Sequence, residues 1–321
     1  MYAIRQYEFG APEMLRYEQL RDPAPGDAQV RVGVHAAGVH LVDTMIRRGA
    51  PPGPLPLPAL PMTPGREVAG FVEAVGAGVE RAWLGRRVVA HLGQASGGYA
   101  ELALASVDRL QGVPDGMTAE VAVAMIGTGR TAAGVLAAAA LTADDVVIVT
   151  AAAGGMGSLF VQEATALGAT VVALAGSARK VTLARSLGAG IAVDYQRPGW
   201  AAEVRGALAE RTATVALDGV GGPVGRAVFE LLGRGARLVR FGWSSGTPVH
   251  IDAKEFAARG ITDLVVRIPP DTLRRLESVA LDKAASGVWR PHTEAFTLAR
   301  ASAAHEAMES RATTGKVVLI P

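Results

Sequence analysis

Short apolar runs alternate with helix-like segments through the middle of the chain. The runs are DVVIVT, TVVALA, IAVD, TVALD and ARLVRFG, starting at 145, 170, 191, 214 and 236, and helical segments at 155–168, 178–188, 200–211 and 222–233 separate them. A sixth run, ITDLVVRI, covers 261–268. Strands made of continuous Val, Ile and Leu are buried on both faces, as in a parallel sheet covered by helices. The sequence therefore predicts an α/β protein with a doubly wound parallel sheet.

The rest of the chain has a different texture. Residues 1–120 hold short β-branched runs punctuated by glycine, and 321 residues suffice for about two domains. We therefore expect a β-rich lobe at 1–120, the parallel-sheet domain at 121–268, and a segment at 269–321 that returns to the first lobe. The Ala-rich stretch 118–141 is predicted to form two helices broken near Gly127–Gly129. The tail is predicted to contribute helices at 271–287 and 301–311 and a last strand, KVVLI.

Composition excludes several classes of protein. The 32 basic and 30 acidic residues give a net charge of +2 without a long basic run, so we expect no nucleic-acid partner. The most apolar region, 132–153, is interrupted by Asp144 and Asp145, and the first ten residues lack an apolar core. We therefore expect neither a membrane span nor a signal peptide, and a cytoplasmic location. The absence of cysteine excludes disulfides and thiolate metal sites.

A glycine-rich turn, TAAAGGMG at 150–157, follows the first strand of the predicted sheet. Aligned to the dinucleotide fingerprint G-x-G-x-x-G, it has Ala152, Gly154 and Gly157, so the first glycine is missing. Gly154 would let the phosphates approach, Gly157 would let helix and strand pack, and Ala152 is acceptable if its φ is negative. A helix cap without a ligand is the simpler interpretation. The order of strand, turn and helix favours a dinucleotide instead.

The residues after the second strand indicate which dinucleotide binds. NAD sites place an acid there, but this chain has Gly176, Ser177, Arg179 and Lys180 and no Asp or Glu. A hydroxyl and two cations suit a 2′-phosphate, whereas a carboxylate would repel it. Ser177 is also a good N-cap, and both roles are compatible. The predicted cofactor is therefore NADPH.

Several motifs together resemble one family. They are AAGVHLVDTMIRRG at 36–49, PGREVAGFVEAVGAGV at 64–79, GGYAE at 97–101, AAAGGMG at 151–157, GSARK at 176–180, FGWSSG at 241–246 and ESRATTGKVVLIP at 309–321. The chain resembles the quinone oxidoreductases, the zinc-free branch of the medium-chain dehydrogenase/reductase superfamily. The resemblance spans essentially the whole chain. It implies a GroES-like β-barrel lobe, completed by the tail, and a Rossmann domain.

The resemblance also implies roles for individual residues. Lys180 and Tyr195 would flank the 2′-phosphate, Thr131 would approach the nicotinamide, and Arg311 and Lys316 match tail positions that face the active cleft. The residues expected to line the cofactor are Ala153, Gly154, Gly155, Met156, Gly157, Phe241, Gly242, Trp243, Ser244 and Ser245. Tyr195 could instead be a packed strand-end residue, and Arg311 and Lys316 could be ordinary surface cations.

The chain departs from the zinc-containing branch of that superfamily. His40 stands where that branch has Cys, and Arg66 stands where it has His. Arginine stays protonated and cannot bind a metal, so we expect no metal at the site. His40 also replaces the Asn usual in quinone reductases. We expect His40 to donate a hydrogen bond or proton at the site, or else to be a packing residue, and Asp43 to be structural or a partner of the imidazole.

These observations favour an NADPH-dependent reductase that transfers hydride to a quinone or enone. Without zinc, the acceptor must already be activated by conjugation, and the protein supplies orientation and a few donors. The alternatives are a non-catalytic NADPH-binding protein and a tailoring enoyl or ketone reductase of secondary metabolism. The expected partners are a small-molecule hydride acceptor and a second copy of the chain. This homodimer would form through the edge strand 261–268, whose free hydrogen-bonding edge and apolar LVV favour pairing.

Overall fold

The computed structural model describes residues 1–51, 56–93 and 96–321, and these residues form two units. The first unit contains residues 1–128 and 291–321, and the second contains residues 129–290.

The first unit is built on antiparallel strands. Its strands are β1 (Tyr2–Gln6), β2 (Leu15–Gln19), β3 (Gln29–Gly38), β4 (Glu67–Val75), β5 (Arg87–His91), β6 (Leu102–Ser106), β7 (Leu110–Gly112), β14 (Thr293–Thr297) and β15 (Lys316–Ile320), and its helices are α1 (Leu41–Arg47), α2 (Ala119–Ala124) and α10 (Ala301–Glu309). Strands β1 and β2 pair with each other. The other seven form one sheet in the order β14-β15-β3-β4-β5-β7, with β6 also paired to β3. Strand β3 buries Val30, Val32 and Val34 in alternation, as expected for a half-buried strand.

The second unit is a parallel sheet covered by helices. Its strands are β8 (Val146–Val149), β9 (Thr170–Ala175), β10 (Ile191–Asp194), β11 (Ala213–Asp218), β12 (Leu232–Arg240) and β13 (Thr262–Val265), and its helices are α3 (Arg130–Ala139), α4 (Gly155–Ala166), α5 (Ala178–Ser186), α6 (Trp200–Leu208), α7 (Gly222–Leu231), α8 (Ala253–Arg259) and α9 (Leu273–Ala285). The six strands run in the order β10-β9-β8-β11-β12-β13, and each neighbouring pair is parallel. The order reverses beside β8, so this is the doubly wound sheet that the apolar runs predicted.

The unit boundaries correct two details of the predicted domains. The first boundary lies after residue 128 rather than 120, and the chain returns to the first unit at 291 rather than 269. Residues 269–290 stay with the parallel sheet because α9 buries Leu276, Ala280 and Leu281 and packs against α3. Lys283 on α9 also pairs with Glu163 on α4 at 2.8 Å. The sequence prediction had included neither α8 nor β14.

The predicted break near Gly127–Gly129 is not a break. Helices α2 and α3 are joined by a π-helical turn, Met125–Gly129, so the helical run is continuous from Ala119 to Ala139. By length and composition, this run is the one helix among the described residues that could cross a membrane, and 61% of its apolar window is buried within the protein. A core helix passes the same test, so the run is weak evidence for a membrane span.

Candidate functional site

The turn between β8 and α4 has the geometry of a phosphate-binding loop. Ala151 adopts a positive φ of 47°, but Ala152 does not. Alanine therefore substitutes for the first glycine of the fingerprint without a left-handed conformation. A Cβ on Gly157 would lie 2.2 Å from the carbonyl oxygen of Ala151. Glycine is required there because the first turn of α4 packs directly on the preceding turn.

The predicted phosphate-binding residues lie where the free N–H groups of α4 point. Gly154 is the N-cap residue of this twelve-residue helix, and the nearest atom that a Cβ on it would meet is the carbonyl oxygen of Ala151 at 3.2 Å. A ligand can therefore approach the backbone closely at this position. The predicted set Ala153, Gly154, Gly155, Met156 and Gly157 spans the end of the turn and the start of α4. A helix N-terminus of this kind favours a pyrophosphate.

The ends of β9 and β10 bring Gly176 and Tyr195 together. Each residue directly follows its strand, and a Cβ on Gly176 would lie 3.2 Å from the Tyr195 hydroxyl oxygen. The backbone N–H of Tyr195 donates to the Ala175 carbonyl at 2.9 Å. Tyr195 thus extends the pairing of the two strands and also presents its hydroxyl beside Gly176.

The cations predicted to bind a 2′-phosphate lie in the first turn of α5. The Ser177 hydroxyl accepts a hydrogen bond from the Lys180 backbone N–H at 3.4 Å, so Ser177 is the N-cap of α5. Arg179 is exposed and Lys180 is half-buried. The capping role and the cationic first turn coexist, as the sequence suggested.

The loop after β12 is held against the loop after β11. Backbone N–H groups of Ser244 and Ser245 donate to the carbonyls of Gly219 and Val220, both at 2.9 Å. Trp243 is 59% exposed. The ring of Phe241 instead packs edge-to-face on Phe160, with 5.2 Å between ring centroids. Phe241 therefore supports this loop through packing, and the contacts of Phe241, Gly242, Trp243, Ser244 and Ser245 with a cofactor stay predictions.

Asp218, at the end of β11, was not among the predicted site residues. Its carboxylate accepts hydrogen bonds from the Thr150 hydroxyl at 3.0 Å and from the backbone N–H groups of Val220 and Gly221 at 3.0 and 3.2 Å. Burial raises the pKa of Asp218, and these hydrogen bonds offset the shift only in part. Asp218 therefore joins the ends of β8 and β11. Its place as the last residue of an apolar strand was the available sequence signal.

Two other predicted cofactor residues lie outside these loops. Thr131 is the second residue of α3, in the second unit. Arg311 follows α10 in the first unit and has a positive φ of 57°. Their contacts with a cofactor stay predictions.

In the first unit, His40 belongs to a charged cluster that also contains Glu67 and Lys316. Its Nε2 lies 2.6 Å from Oε1 of Glu67 and 2.9 Å from Nζ of Lys316. Lys316 in turn donates to Oε2 of Glu67 at 2.8 Å. Glu67 is fully buried and Lys316 is 4% exposed, whereas the His40 side chain is 23% exposed. Lys316 is therefore not a surface cation, and its contact with a cofactor stays a prediction.

Two glycines make room for this cluster. A Cβ on Gly127, in the π-helical turn, would lie 1.5 Å from Oε1 of Glu67, and one on Gly38 would lie 2.1 Å from Oε2. Burial alone would raise the pKa of Glu67, but the charges of His40 and Lys316 and the His40 hydrogen bond outweigh it. They hold the pKa of Glu67 below its usual range, so the buried carboxylate stays ionised.

Asp43 has a structural position beside this cluster. Its Oδ2 accepts from the His40 backbone N–H at 2.8 Å and from the Tyr99 hydroxyl at 3.2 Å, and its Oδ1 lies 3.3 Å from Nε of Arg66. The imidazole of His40 instead contacts Glu67 and Lys316. Asp43 therefore fixes the start of α1, and the predicted pairing of its carboxylate with the imidazole is wrong.

Comparison with known proteins identifies the family. Residues 26–150 match the family model described as alcohol dehydrogenase GroES-like domain, and residues 155–272 match the model described as zinc-binding dehydrogenase. A quinone oxidoreductase of Pseudomonas aeruginosa is 32% identical, covering 98% of this chain and 97% of that protein. The chain belongs to the quinone oxidoreductase-like branch of the medium-chain dehydrogenase/reductase superfamily. This confirms the family and its GroES-like and Rossmann parts.

Solved structures of this family share the whole fold. A mycobacterial protein solved in complex with NADPH is 32% identical with a TM-score of 0.86, and each chain is covered completely. The Escherichia coli quinone oxidoreductase complexed with NADPH is 28% identical with a TM-score of 0.87, again over both complete chains.

One matching model describes zinc-binding dehydrogenases, but the cluster around His40 does not provide the ligands that zinc needs. Within residues 1–51, 56–93 and 96–321, no three His, Cys, Asp or Glu side chains are grouped so that they could hold a metal ion. His40 and Glu67 offer two ligands, but the third contact is the ammonium of Lys316, which repels a cation. The donors present do not fit zinc.

Proposed function

We propose that this chain is a reductase that uses NADPH, without zinc, to reduce a conjugated carbonyl such as a quinone or an enone. The observation that carries the proposal is the His40–Glu67–Lys316 cluster. It places a partly exposed imidazole on a buried carboxylate and ammonium, where a metal site would need further ligands. A proton donor at this position suits an acceptor that is already activated by conjugation.

NADPH is the cofactor, and the second unit holds the residues that would bind it. The α4 N-terminus would receive the pyrophosphate, and Lys180, Arg179 and the Tyr195 hydroxyl would surround the 2′-phosphate. The motive is the fit of these residues to the charge of the group: the N–H groups in the first turn of α4, two cations in the first turn of α5, and no acid at 176–180.

When bound, NADPH supplies the hydride that reaches a carbon of the acceptor. The role of the protein is then to hold the acceptor and to stabilise the negative charge that develops on its oxygen. His40 is the residue of the cluster with the most exposed side chain, because Glu67 and Lys316 are buried. An imidazole N–H can donate to the oxygen of the enolate or reduced quinone and then release its proton to it.

The test is substitution of His40, measured with a panel of quinones and enones. His40→Ala should lower kcat about 10- to 1000-fold with little change in NADPH affinity, the usual cost of losing one such donor. His40→Asn should keep more activity because an amide N–H still donates. His35→Ala is the matched control, since His35 is an exposed histidine on β3 of the same unit.

Three results would contradict the proposal. Full activity of His40→Ala would make His40 a packing residue. NADPH binding without turnover of any acceptor would favour a non-catalytic NADPH-binding protein. Turnover restricted to large polycyclic enones would favour a tailoring reductase.

The proposal includes a homodimer formed through β13. Among the described residues β13 pairs only with β12, so its outer edge offers free backbone groups. Val265 is 56% exposed, and the acid Asp263 is engaged by Arg240 on the neighbouring strand, which weakens it as a protecting charge. Val265→Asp should yield monomers in light scattering at micromolar concentration, whereas Val288→Asp, at an exposed valine outside β13, should not. A native monomer would refute the pairing.

A further inference from the structure

One nitrogen of His40 contacts two groups with opposite requirements. Nε2 lies 2.9 Å from the ammonium nitrogen of Lys316 and 2.6 Å from a carboxylate oxygen of Glu67. An ammonium can only donate a hydrogen bond, and an ionised carboxylate can only accept one. Nε2 can therefore accept from Lys316 only when it carries no proton, and it can donate to Glu67 only when it carries one.

The two contacts correspond to two positions of one proton. In the first state, Lys316 donates to a bare Nε2 and the imidazole proton is on Nδ1. In the second state, the proton has moved from Nζ to Nε2, which then donates to Glu67. The heavy atoms are already at hydrogen-bonding distance for both states, since Lys316 also contacts Glu67 at 2.8 Å. The second state needs the imidazole to turn slightly, because Oε1 of Glu67 has no hydrogen-bond partner among the described residues although it lies 2.6 Å from Nε2.

We propose that Lys316, His40 and Glu67 form a proton relay that protonates the reduced acceptor, an inference that rests on the proposed function. As hydride arrives at the acceptor carbon, the Nδ1–H bond of His40 breaks and an O–H bond forms on the acceptor. The Nζ–H bond of Lys316 breaks and an Nε2–H bond forms, so the two transfers leave the charge of the imidazole unchanged. Glu67 then accepts from the new Nε2–H. Lys316 is a positioning and proton-storing residue, and His40 is the catalytic residue.

The burial of the cluster determines how the relay resets. Lys316 is 4% exposed, so its proton returns through His40, which is 23% exposed. A solvent proton adds to Nδ1 and the proton on Nε2 returns to Nζ.

The other charged groups around the imidazole leave the relay intact. Asp43 faces it from α1, but the carboxylate accepts from the His40 backbone and is paired with Arg66. The Asp43 backbone N–H donates to the His40 carbonyl at 3.0 Å and also approaches the His40 side chain in the capping box of α1, so the imidazole has to turn from this amide to carry its proton on Nδ1. His91, on β5, lowers the pKa of Glu67 further and favours its ionised form.

The first test determines which ring nitrogen of His40 carries the proton. Nitrogen-15 NMR distinguishes the two neutral histidine tautomers, and loss of the signal in His40→Asn assigns it among six histidines. In the native chain at neutral pH, His40 should carry its proton on Nδ1. In Lys316→Met the donor to Nε2 is gone, so the proton should move to Nε2 and donate to Glu67. A native His40 protonated on Nε2 would overturn the relay without any measurement of activity.

The second test separates proton transfer from charge. Lys316→Arg keeps a positive donor but does not release its proton under ordinary conditions. The relay predicts a fall in kcat of about 10- to 100-fold in Lys316→Arg and in Lys316→Met, with KM for NADPH unchanged. Lys254→Met, at an exposed lysine, is the control and should have no effect. Full kcat in Lys316→Arg would show that only the charge matters.

A double variant decides whether Lys316 acts through His40. In a His40→Asn background, Lys316→Met should produce no further loss of kcat, because the imidazole that passes the proton from Lys316 to the acceptor is already absent. Additive losses would assign Lys316 a separate, structural role. An inactive native protein would refute the proposed function, whereas an active native protein with fully active Lys316 variants would refute the relay alone. Unchanged NADPH affinity and far-UV circular dichroism identify variants that have folded.

Discussion

The substitution Glu67→Gln measures what the buried carboxylate contributes to the stability of the first unit. Glutamine has the same shape, so the close approach of Gly38 and Gly127 is preserved and only the charge is lost. Lys316 is then left 4% exposed without its counter-ion. Breaking one partner out of a buried ion pair costs about 3–5 kcal/mol, because the remaining charge stays buried and uncompensated. We therefore expect the free energy of unfolding of the first unit to fall by this amount.

The measurement is urea unfolding followed by a probe specific to the first unit. For a unit of this size, a loss of about 3–5 kcal/mol corresponds to a fall in Tm of roughly 6–20 °C. Glu73→Gln is the matched control: Glu73 is on the same strand, β4, but is 45% exposed and lies 3.8 Å from Arg31. An exposed pair of this kind is worth about 0–1 kcal/mol. Equal effects of the two substitutions would refute the reasoning, and so would a loss of less than 1 kcal/mol at Glu67.

The pH dependence of the same pair has a defined sign. The pKa of Glu67 is below its usual range in the folded protein, so the unfolded chain binds a proton first as the pH falls. Its contribution to stability is thus fully present above the unfolded pKa and is lost as the pH falls toward the folded one. Stability would increase with falling pH only if the native protein held the Glu67 carboxylate in its protonated form.

Three further predictions follow from single residues. NADPH should bind at least tenfold more tightly than NADH, and Lys180→Ala should remove most of that preference, about 1.5–3 kcal/mol. Arg185→Ala, at the other end of α5, is the control and should leave the preference unchanged. Equal affinities of the native protein for the two cofactors would contradict this prediction. Burial and the charge of Arg47, opposed by the charge of Asp43, lower the pKa of His305 to about 4, so His305 is neutral in the folded protein. Stability should therefore fall by about 2 kcal/mol between pH 7.5 and pH 5, and this loss should be smaller in His305→Gln; an equal loss in both proteins would exclude His305 as its source. Chelators should leave activity unchanged, since the donors around His40 do not fit zinc; stoichiometric zinc lost together with activity would overturn this expectation.

The fold was largely predictable because its signals are local. The strands β8 to β11 are largely continuous apolar runs, and the helices α4 to α7 begin near a glycine or Ser177, so periodicity gives the order of these elements. The predictions were wrong where the structure depends on packing between segments that are distant in sequence. Gly127 and Gly129 suggest a break in sequence, but the helical run continues through a π-helical turn. The destination of α9 depends on its contact with α3, which no local pattern reveals.

The nucleotide-binding turn was predictable for the same reason, since residues 151–157 and 176–180 are each short continuous motifs. The cluster around His40 was not, because its members are distant in sequence: 249 residues separate Glu67 from Lys316. The sequence marks Lys316 only as a cation near the start of an apolar strand, and a lysine there is usually exposed. Strand pairing brings it inside: β15 pairs with β3, and β3 pairs with β4, which begins at Glu67.

This topology explains why a charged residue can be retained in the core of the first unit. A buried lysine is tolerated only if a counter-ion meets it, and Glu67 supplies that counter-ion from the strand beyond β3. The carboxylate alone would have sufficed to pair the lysine, yet His40 is also drawn in and is the one member that reaches the surface. His40 also helps to keep the buried carboxylate ionised, since its charge and hydrogen bond lower the pKa of Glu67 together with the charge of Lys316. A path for a proton between the buried ammonium and the outside of the unit requires a third, partly exposed titratable group, and His40 occupies the position such a path needs.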